Sequence, residues 1–279
     1  MEELQQQELV SLCATDTIET GFQTLVKKGV LGAPVKDEAT GEFIGLVDIK
    51  DFVGYVLLIY GQGRASVSDL NLQQGLRVQS ILNLSKANPF ARVSYEASIL
   101  DALKAFGAGL HRLAVTQDGP SNVVKMVSQM CLLQFLLRNR DKWGGALNRK
   151  VGDLKIGSEP RTVAYGEEAL TALAIMDQEQ ISGTAIVDDA GRLYGSISTS
   201  DLKQASETTE VLTVPLKAFW EAMKKPLVTV SEEDTLGAVI ERLVRGRVHR
   251  VFVVGADGRP TKVISTTDIL AALLALLLP

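Results

Sequence analysis

The chain has 279 residues, enough to bury a sizeable core as one large or two medium domains. Its composition is 46% hydrophobic but only 5% aromatic, which excludes a disordered chain and makes the core one of Val, Leu, Ile and Ala, suited to helices packed on sheets. A net charge of -4 excludes a general nucleic-acid binder, because backbone-phosphate binding needs a broad basic face, and two histidines with two distant cysteines leave no cluster for zinc.

In chain order, Ile18, Phe22, Leu25 and Val26 lie at helical spacing and predict a helix stopped by Gly29. Two strands follow around a turn at Asp37 to Gly41. The second strand runs into a polar step, Gly45-Leu46-Val47-Asp48-Ile49-Lys50-Asp51, and a closing helix over Phe52 to Ile59. The same grammar returns after a linker from Gly61 to Leu84. Ile99, Ala102, Leu103 and Phe106 mark a helix before Gly109, the turn is Asp118 to Asn122, the step is Val124 to Cys131, and the closing helix is Leu132 to Leu137.

Trp143-Gly144-Gly145 then opens a stretch between the two halves of the chain. The third repeat uses Leu170, Leu173, Ala174 and Met176 ending near Gly183, the turn Asp188 to Gly191, the step Gly195 to Asp201, and a closing helix over Leu202 to Ala205. In the linker from Ser206 to Lys225, the spacing of Leu216, Phe219, Trp220 and Met223 predicts a short packed helix. The fourth repeat uses Leu236, Val239, Ile240 and Leu243 ending at Gly246, the turn Asp257 to Pro260 and the step Lys262 to Asp268. Its closing run, Ile269 to Leu278, is about half the length needed to span a bilayer, so a buried packing helix and no membrane partner are expected.

The steps recur at intervals of roughly 70 residues, the signature of one supersecondary unit used four times. The expected repeats are 1–60, 78–140, 150–206 and 216–279. One such unit is too small to bury its own apolar faces. Pairing the first with the second and the third with the fourth, sheet against sheet, would leave clefts where the second strands end, and two pairs could assemble into a flat, pseudo-symmetric disc.

Two readings of the steps compete. Ser, Thr and Asp are the preferred N-caps of any helix. An aspartate at a helix start, preceded by hydroxyl residues, can equally accept two hydrogen bonds from the vicinal hydroxyls of a ribose, with the helix N-terminus favouring an anion nearby. Ser198, Ser200 and Asp201 fit that arrangement, as do Ser265, Thr267 and Asp268. The first repeat keeps Asp51 but has Asp48 where the others have a hydroxyl, and a second carboxylate repels phosphate. The second repeat ends in Cys131, which cannot accept two ribose hydrogen bonds. Both histidines fall in pairs, His111-Arg112 and His249-Arg250, at strand starts. Period-two alternation there points neighbours to opposite faces, and Arg forks suit phosphate oxygens.

With Thr235-Leu236 through Val248-His249-Arg250-Val251 to Ser265-Thr266-Thr267-Asp268-Ile269-Leu270, the linker Leu212 to Ala218, and Gly109-Leu110-His111-Arg112-Leu113, the chain resembles a tandem of four CBS domains forming two Bateman modules. It is most similar to the gamma regulatory subunit of AMP-activated protein kinase. The resemblance implies an α/β (α+β) fold of tandem CBS repeats paired into two Bateman modules in a flat pseudo-symmetric disc. It also implies a non-catalytic regulatory subunit, cytoplasmic or also nuclear, that binds AMP, ADP or ATP without a cofactor or metal and partners kinase alpha and beta subunits. On it, Asp201, Ser198, Ser200, Asp268, Ser265, Thr267 and Asp51 take the ribose and neighbouring hydroxyls, and His111, Arg112, His249 and Arg250 take phosphate.

The gamma subunit carries an Arg where this chain has Leu31 and a Lys where it has Met130, so fewer working sites and weaker triphosphate binding are expected. Those losses also suit the alternative of a free-standing CBS protein that binds adenine nucleotide or S-adenosylmethionine and regulates another enzyme or transporter. No nucleophile with a base, and no acid-base pair, marks an enzyme. Cys13 and Cys131, with no secretory signal ahead of them, are expected as buried reduced thiols. Arg138, Arg140, Lys142, Arg149 and Lys150 read as a solvated linker face, and Trp143 and Trp220 as packing anchors.

Overall fold

Short β-branched runs bounded by turn glycines give four sheets with one topology in the computed structural model, which describes residues 1, 4, 8–61, 76–206 and 209–278. Most of the expected linker from Gly61 to Leu84, and residues 207–208 of the one after Ser206, lie outside the described residues. The first sheet contains β1 (Leu12–Cys13), β2 (Gly32–Lys36) and β3 (Phe43–Asp48), with helix α1 (Ile18–Lys28) between β1 and β2 and α2 (Ile49–Gly61) after β3. The second contains β4 (Arg92–Ser94), β5 (Arg112–Thr116) and β6 (Val123–Ser128), with α3 (Ile99–Gly107) and then α4 (Gln129–Arg138).

A short helix, α5 (Val151–Leu154), leads to the third sheet, β7 (Thr162–Ala164), β8 (Gly183–Val187) and β9 (Leu193–Ser198), with α6 (Ala169–Gln178). After α7 (Leu216–Met223) comes the fourth, β10 (Thr229–Val230), β11 (Arg250–Val254) and β12 (Pro260–Ser265), with α8 (Leu236–Gly246) and the closing helix α9 (Thr266–Leu277). In every sheet the first two strands are parallel and the last two antiparallel. Each hairpin slips register at the same place, between Val35 and Lys36, Val115 and Thr116, Ile186 and Val187, and Val253 and Val254.

Local chemistry sets the helix ends. The Thr17 hydroxyl accepts from the Thr20 amide at 3.0 Å to start α1, and Gly29, at φ 68, closes it. Ser98 and Asp101 form a reciprocal capping box on α3, as Ser265 and Asp268 do on α9. One closing element departs from expectation: the third repeat's is a 3-10 helix over Thr199–Ser206 rather than an α-helix.

The described residues form two compact units. One joins Met1–Leu9, Ala91–Pro160 and Pro226–Pro279, and so contains the second and fourth repeats; it is called the even unit below. The other joins Val10–Phe90 and Arg161–Lys225, the first and third repeats, and is the odd unit. In the even unit α9 packs on α3, where a Cβ on Gly107 would lie 3.3 Å from the Ala271 Cα, so only a small residue permits that crossing. Leu270 and Leu273 of α9 are fully buried, each contributing about 1.5–3 kcal/mol. The apolar C-terminal run is thus a packing helix, and among the described residues no helix is long and apolar enough to cross a membrane.

A second rule was not visible in the repeat order. The segment ahead of each repeat packs on the other member of its sequential pair. Arg77 bridges to Thr17 of the first repeat, with Val78 and Ile81 buried beside it. The carbonyl of Met1 accepts from Lys125 Nζ of the second repeat at 2.8 Å. Pro215 bridges to Glu168 of the third repeat, and Trp220 of α7 lies on β9, where a Cβ on Gly195 would fall 2.7 Å from its ring. Lys150 and Ser158, flanking α5, bridge to Thr235 and Val263 of the fourth. The first and second repeats therefore exchange segments, as do the third and fourth.

Cys13 and Cys131 are free thiols but only half-buried, which corrects the expectation that both are buried. Each lies at a sheet edge or helix start rather than in the apolar core. Trp220 is 9% exposed and anchors α7, whereas Trp143 is half-buried with its indole Nε1 unpartnered among the described residues.

Candidate functional site

The four polar steps are built by one backbone device. The first residue of each closing element donates its amide to the carbonyl of the residue just before the sheet's second strand: Ile49 to Leu31 at 2.8 Å, Gln129 to His111 at 3.2 Å, Thr199 to Ser182 at 3.1 Å and Thr266 to His249 at 3.0 Å. Leu31, His111, Ser182 and His249 are thus structural counterparts. The next residues, Gly32, Arg112, Gly183 and Arg250, stand in register with the last residues of each sheet's third strand, Asp48, Ser128, Ser198 and Ser265. The His-Arg pairs belong to the even unit, and both side chains of each pair are half-buried beside the step.

Three steps end in an aspartate, and in each Oδ2 folds back on the step's own backbone. It accepts from the amide of Asp48 at 2.8 Å in the first repeat, of Ser198 at 2.7 Å in the third and of Ser265 at 2.7 Å in the fourth. The fate of Oδ1 differs. Asp51, 1% exposed, receives the Ser85 amide at 2.8 Å and the Ser85 hydroxyl at 2.7 Å, so both oxygens are occupied. Burial pushes its carboxyl up, against the opposing hydrogen bonds from Ser85 and Asp48. Asp201, 7% exposed, is clasped by the Lys225 ammonium, 3.0 Å from Oδ1 and 2.8 Å from Oδ2, and Ser200 donates to or accepts from Ser198 at 2.8 Å.

Asp268 is different. Its Oδ2 accepts from the Ser265 amide and hydroxyl, both at 2.7 Å, while Oδ1 has no partner among the described residues, and the side chain is half-buried rather than sealed. An open carboxylate oxygen offers two lone pairs, enough for two hydroxyl donors. Arg250 and His249 stand on the adjoining strand start. The fourth step therefore gathers Ser265, Asp268, His249 and Arg250 in one place.

Thr267 is drawn elsewhere. Gln129, 3% exposed, donates through Nε2 to the Thr267 hydroxyl at 2.8 Å and to the carbonyls of Phe106 and Leu110, and its Oε1 accepts from the Thr266 hydroxyl at 2.5 Å. This joint ties the start of α9 to the second repeat. At the second step itself Cys131 replaces the aspartate, and among the described residues its Sγ receives only the Ser128 hydroxyl at 3.3 Å, so His111 and Arg112 flank a step without a diol acceptor.

Sequence reasoning passed over Ser85, Lys225 and Gln129, whose roles come from segment exchange and helix packing. One signal was available. Lys225 and Asn88 each immediately precede a proline, Pro226 and Pro89, four residues before the first strand of their repeat. A residue before proline is held extended, which carries these side chains toward the partner repeat. Asn88 is 4% exposed with neither amide atom partnered among the described residues.

A groove of ≈ 390 Å³ in the even unit is lined by Arg138, Arg140 and Arg245 with Leu137 and Val244 between α4 and α8, but no step residue lines it. Arg245 there is paired with Glu241 at 2.6 Å. No group of three or more His, Cys, Asp or Glu that could hold a metal ion occurs among the described residues.

This architecture has a family counterpart. Residues 151–208 and 217–275 match the CBS domain, so the chain carries a tandem pair of CBS domains over its third and fourth repeats, within a mixed α/β fold. Its fold is that of protein MJ1225 of Methanocaldococcus jannaschii, a proposed archaeal homolog of g-AMPK, with a TM-score of 0.79 and 19% identity over 97% of this chain and 98% of that one. An uncharacterized conserved protein of Pyrococcus horikoshii has a TM-score of 0.61 and 13% identity over 98% of this chain and 99% of that one.

In sequence the chain is similar to Protein SDS23 of Meyerozyma guilliermondii, 27% identical over 89% of this chain, and to Protein SDS23 of Kluyveromyces lactis, 25% identical over 91% of it. It spans 55% of the length of each of these relatives.

Proposed function

We propose that the chain is a non-catalytic regulatory subunit that senses adenine nucleotides, with AMP, ADP and ATP competing for the fourth-repeat step, and that it serves as the gamma-like subunit of an AMP-activated or SNF1-type kinase complex with alpha and beta partners. Residues 1–60 and 78–140 are taken as the two CBS repeats that complete the set with 150–206 and 216–279. The observation that carries the reading is the open Oδ1 of Asp268 beside Arg250 and His249. The carboxylate takes the ribose diol, and the guanidinium and imidazole take phosphate oxygens. A response needs only that nucleotides bind two states of the assembly differently, by about 1–3 kcal/mol.

Calorimetric titration with AMP, ADP, ATP and S-adenosylmethionine tests the site. The wild type is expected to bind AMP, and Asp268→Ala to weaken it at least about tenfold, the loss of two hydrogen bonds to a charged acceptor. No binding by the wild type, or equal binding by Asp268→Ala, sinks the assignment.

A second reading keeps the nucleotide site and drops the kinase, leaving a free-standing CBS protein that binds adenine nucleotide or S-adenosylmethionine and regulates another enzyme or transporter. Leu31, an apolar residue at the position where the even unit has His111 and His249, favours it. Copurification of the tagged chain with kinase alpha and beta subunits separates the two.

A further inference from the structure

The third-repeat step has the hydroxyls and the carboxylate of its counterpart in the fourth repeat, with Ser182 and Gly183 where that one has His249 and Arg250, and its carboxylate is closed by one residue delivered by the exchanged segment. We propose that Lys225 is a built-in substitute for the ribose diol, a latch that holds the third-repeat step shut until a nucleotide displaces it. This rests on the reading of the steps as diol acceptors.

The geometry has three parts. The ammonium lies 3.0 and 2.8 Å from the two oxygens of Asp201, so it donates to both, as a pair of vicinal hydroxyls would, and neutralises the carboxylate at the same time. Lys225 is only 21% exposed at its side chain and Asp201 9%, so the pair is shielded and more persistent than a surface ion pair. The latch is also anchored. Its ammonium stands 5.8 Å from the Trp220 ring centroid, and Trp220 in turn lies against Gly195 of β9, the strand that leads into the step.

The first repeat gives an internal comparison. There the exchanged segment closes Asp51 with Ser85, while Asn88, the positional counterpart of Lys225, makes no hydrogen bond among the described residues. In the fourth repeat the corresponding segment offers Ser158, whose backbone is joined to Val263 at 3.0 and 2.8 Å, and nothing from it reaches Asp268 among the described residues. A lysine ammonium differs from serine in one respect that makes it a latch. Its flexible stem lets the ammonium swing away from Asp201, whereas Ser85 meets Asp51 partly through its own backbone amide, which has no such freedom.

Equilibrium dialysis with radiolabelled AMP, with thermal melting to confirm folding, tests the latch in wild type, Asp268→Asn, Lys225→Met/Asp268→Asn and Lys225→Arg/Asp268→Asn. The expected result is about one AMP per wild-type chain, loss of that site in Asp268→Asn, and a new site in the methionine double variant with at least about tenfold higher affinity than in Asp268→Asn alone. Adding Asp201→Asn removes it again, and the arginine variant, which keeps the ion pair, stays shut.

If the methionine double variant is folded yet gains no AMP while the wild type binds through Asp268, the latch is overturned and the reading of the steps stands. Weaker binding on Lys225→Met in the otherwise wild-type chain also overturns it, by making Lys225 a phosphate ligand. If no protein in the series binds AMP, the diol reading fails and the latch with it. Lys225→Gln, which retains a neutral donor to Asp201, repeats the comparison should the methionine variant melt early.

Discussion

The even and odd units use the same sheets, the same bulges and the same backbone clasp at each step, yet they treat their carboxylates in opposite ways. In the odd unit Asp51 and Asp201 are buried and satisfied by Ser85 and Lys225 of the chain itself. In the even unit Asp268 keeps an oxygen open among the described residues, Cys131 has no carboxylate, and a His-Arg pair stands at the start of each second strand. A repeated motif therefore does not mean a repeated site. What the exchanged segment brings to each step decides whether its carboxylate is sealed or keeps an open oxygen.

The sharpest contrast is between Asp51 and Asp268. Asp51→Ala strips partners from the buried amides of Asp48 and Ser85 and from the Ser85 hydroxyl, and is expected to cost about 2–4 kcal/mol in urea unfolding. Asp268→Ala loses half of a helix capping box and is expected to cost about 1 kcal/mol. Equal costs would erase the distinction between a sealed carboxylate and an open one.

Next comes the joint that, among the described residues, only the even unit has. Gln129 and Thr266 occupy corresponding places and hydrogen-bond to each other, whereas their odd-unit counterparts are Ile49 and Thr199. Gln129→Leu is expected to cost about 1–3 kcal/mol, because the Phe106 and Leu110 carbonyls and the Thr267 hydroxyl lose a donor. Hydrogen exchange should then rise at the start of α9, and protection unchanged there would remove Gln129 from this role.

The smallest effect is on pH dependence, and the two units should slope in opposite directions. Burial raises the Asp51 carboxyl, so the folded odd unit holds that proton to higher pH than the unfolded chain does. Its contribution is therefore most favourable below the ordinary aspartate range and diminishes as pH rises toward the raised value. In the even unit burial pushes Asp234 upward, but the Ser231 amide and the Arg242 guanidinium outweigh it and hold the carboxyl below its ordinary value. That contribution is present above the unfolded pKa and is lost as pH falls through the folded one. Unfolding free energies of Asp51→Asn and Asp234→Asn against wild type between acid and neutral pH check both signs, and parallel slopes would contradict them.

Much of this was written in the chain. Apolar spacing located α1, α3, α6 and α8, the linker helix α7 appeared at Leu216 to Met223, and the C-terminal run is the packing helix its length implied. The His-Arg pairs were placed correctly at matching strand starts because strand pattern and repeat spacing are local signals. The third closing element was missed as a 3-10 helix. Thr267 read as a site hydroxyl because nothing near it in sequence announces Gln129, 138 residues away.

The sequence by itself determined the repeated unit, its caps and turns, and the polar side chains of each step, since periodicity, capping and side-chain chemistry act over a few residues. Which aspartate remains available was decided only by the tertiary structure. Ser85 reaches Asp51 across 34 positions and Lys225 reaches Asp201 across 24, because neighbouring repeats exchange the segments that precede them. A carboxylate's role depends on the donors that meet it in space, and no local pattern encodes those.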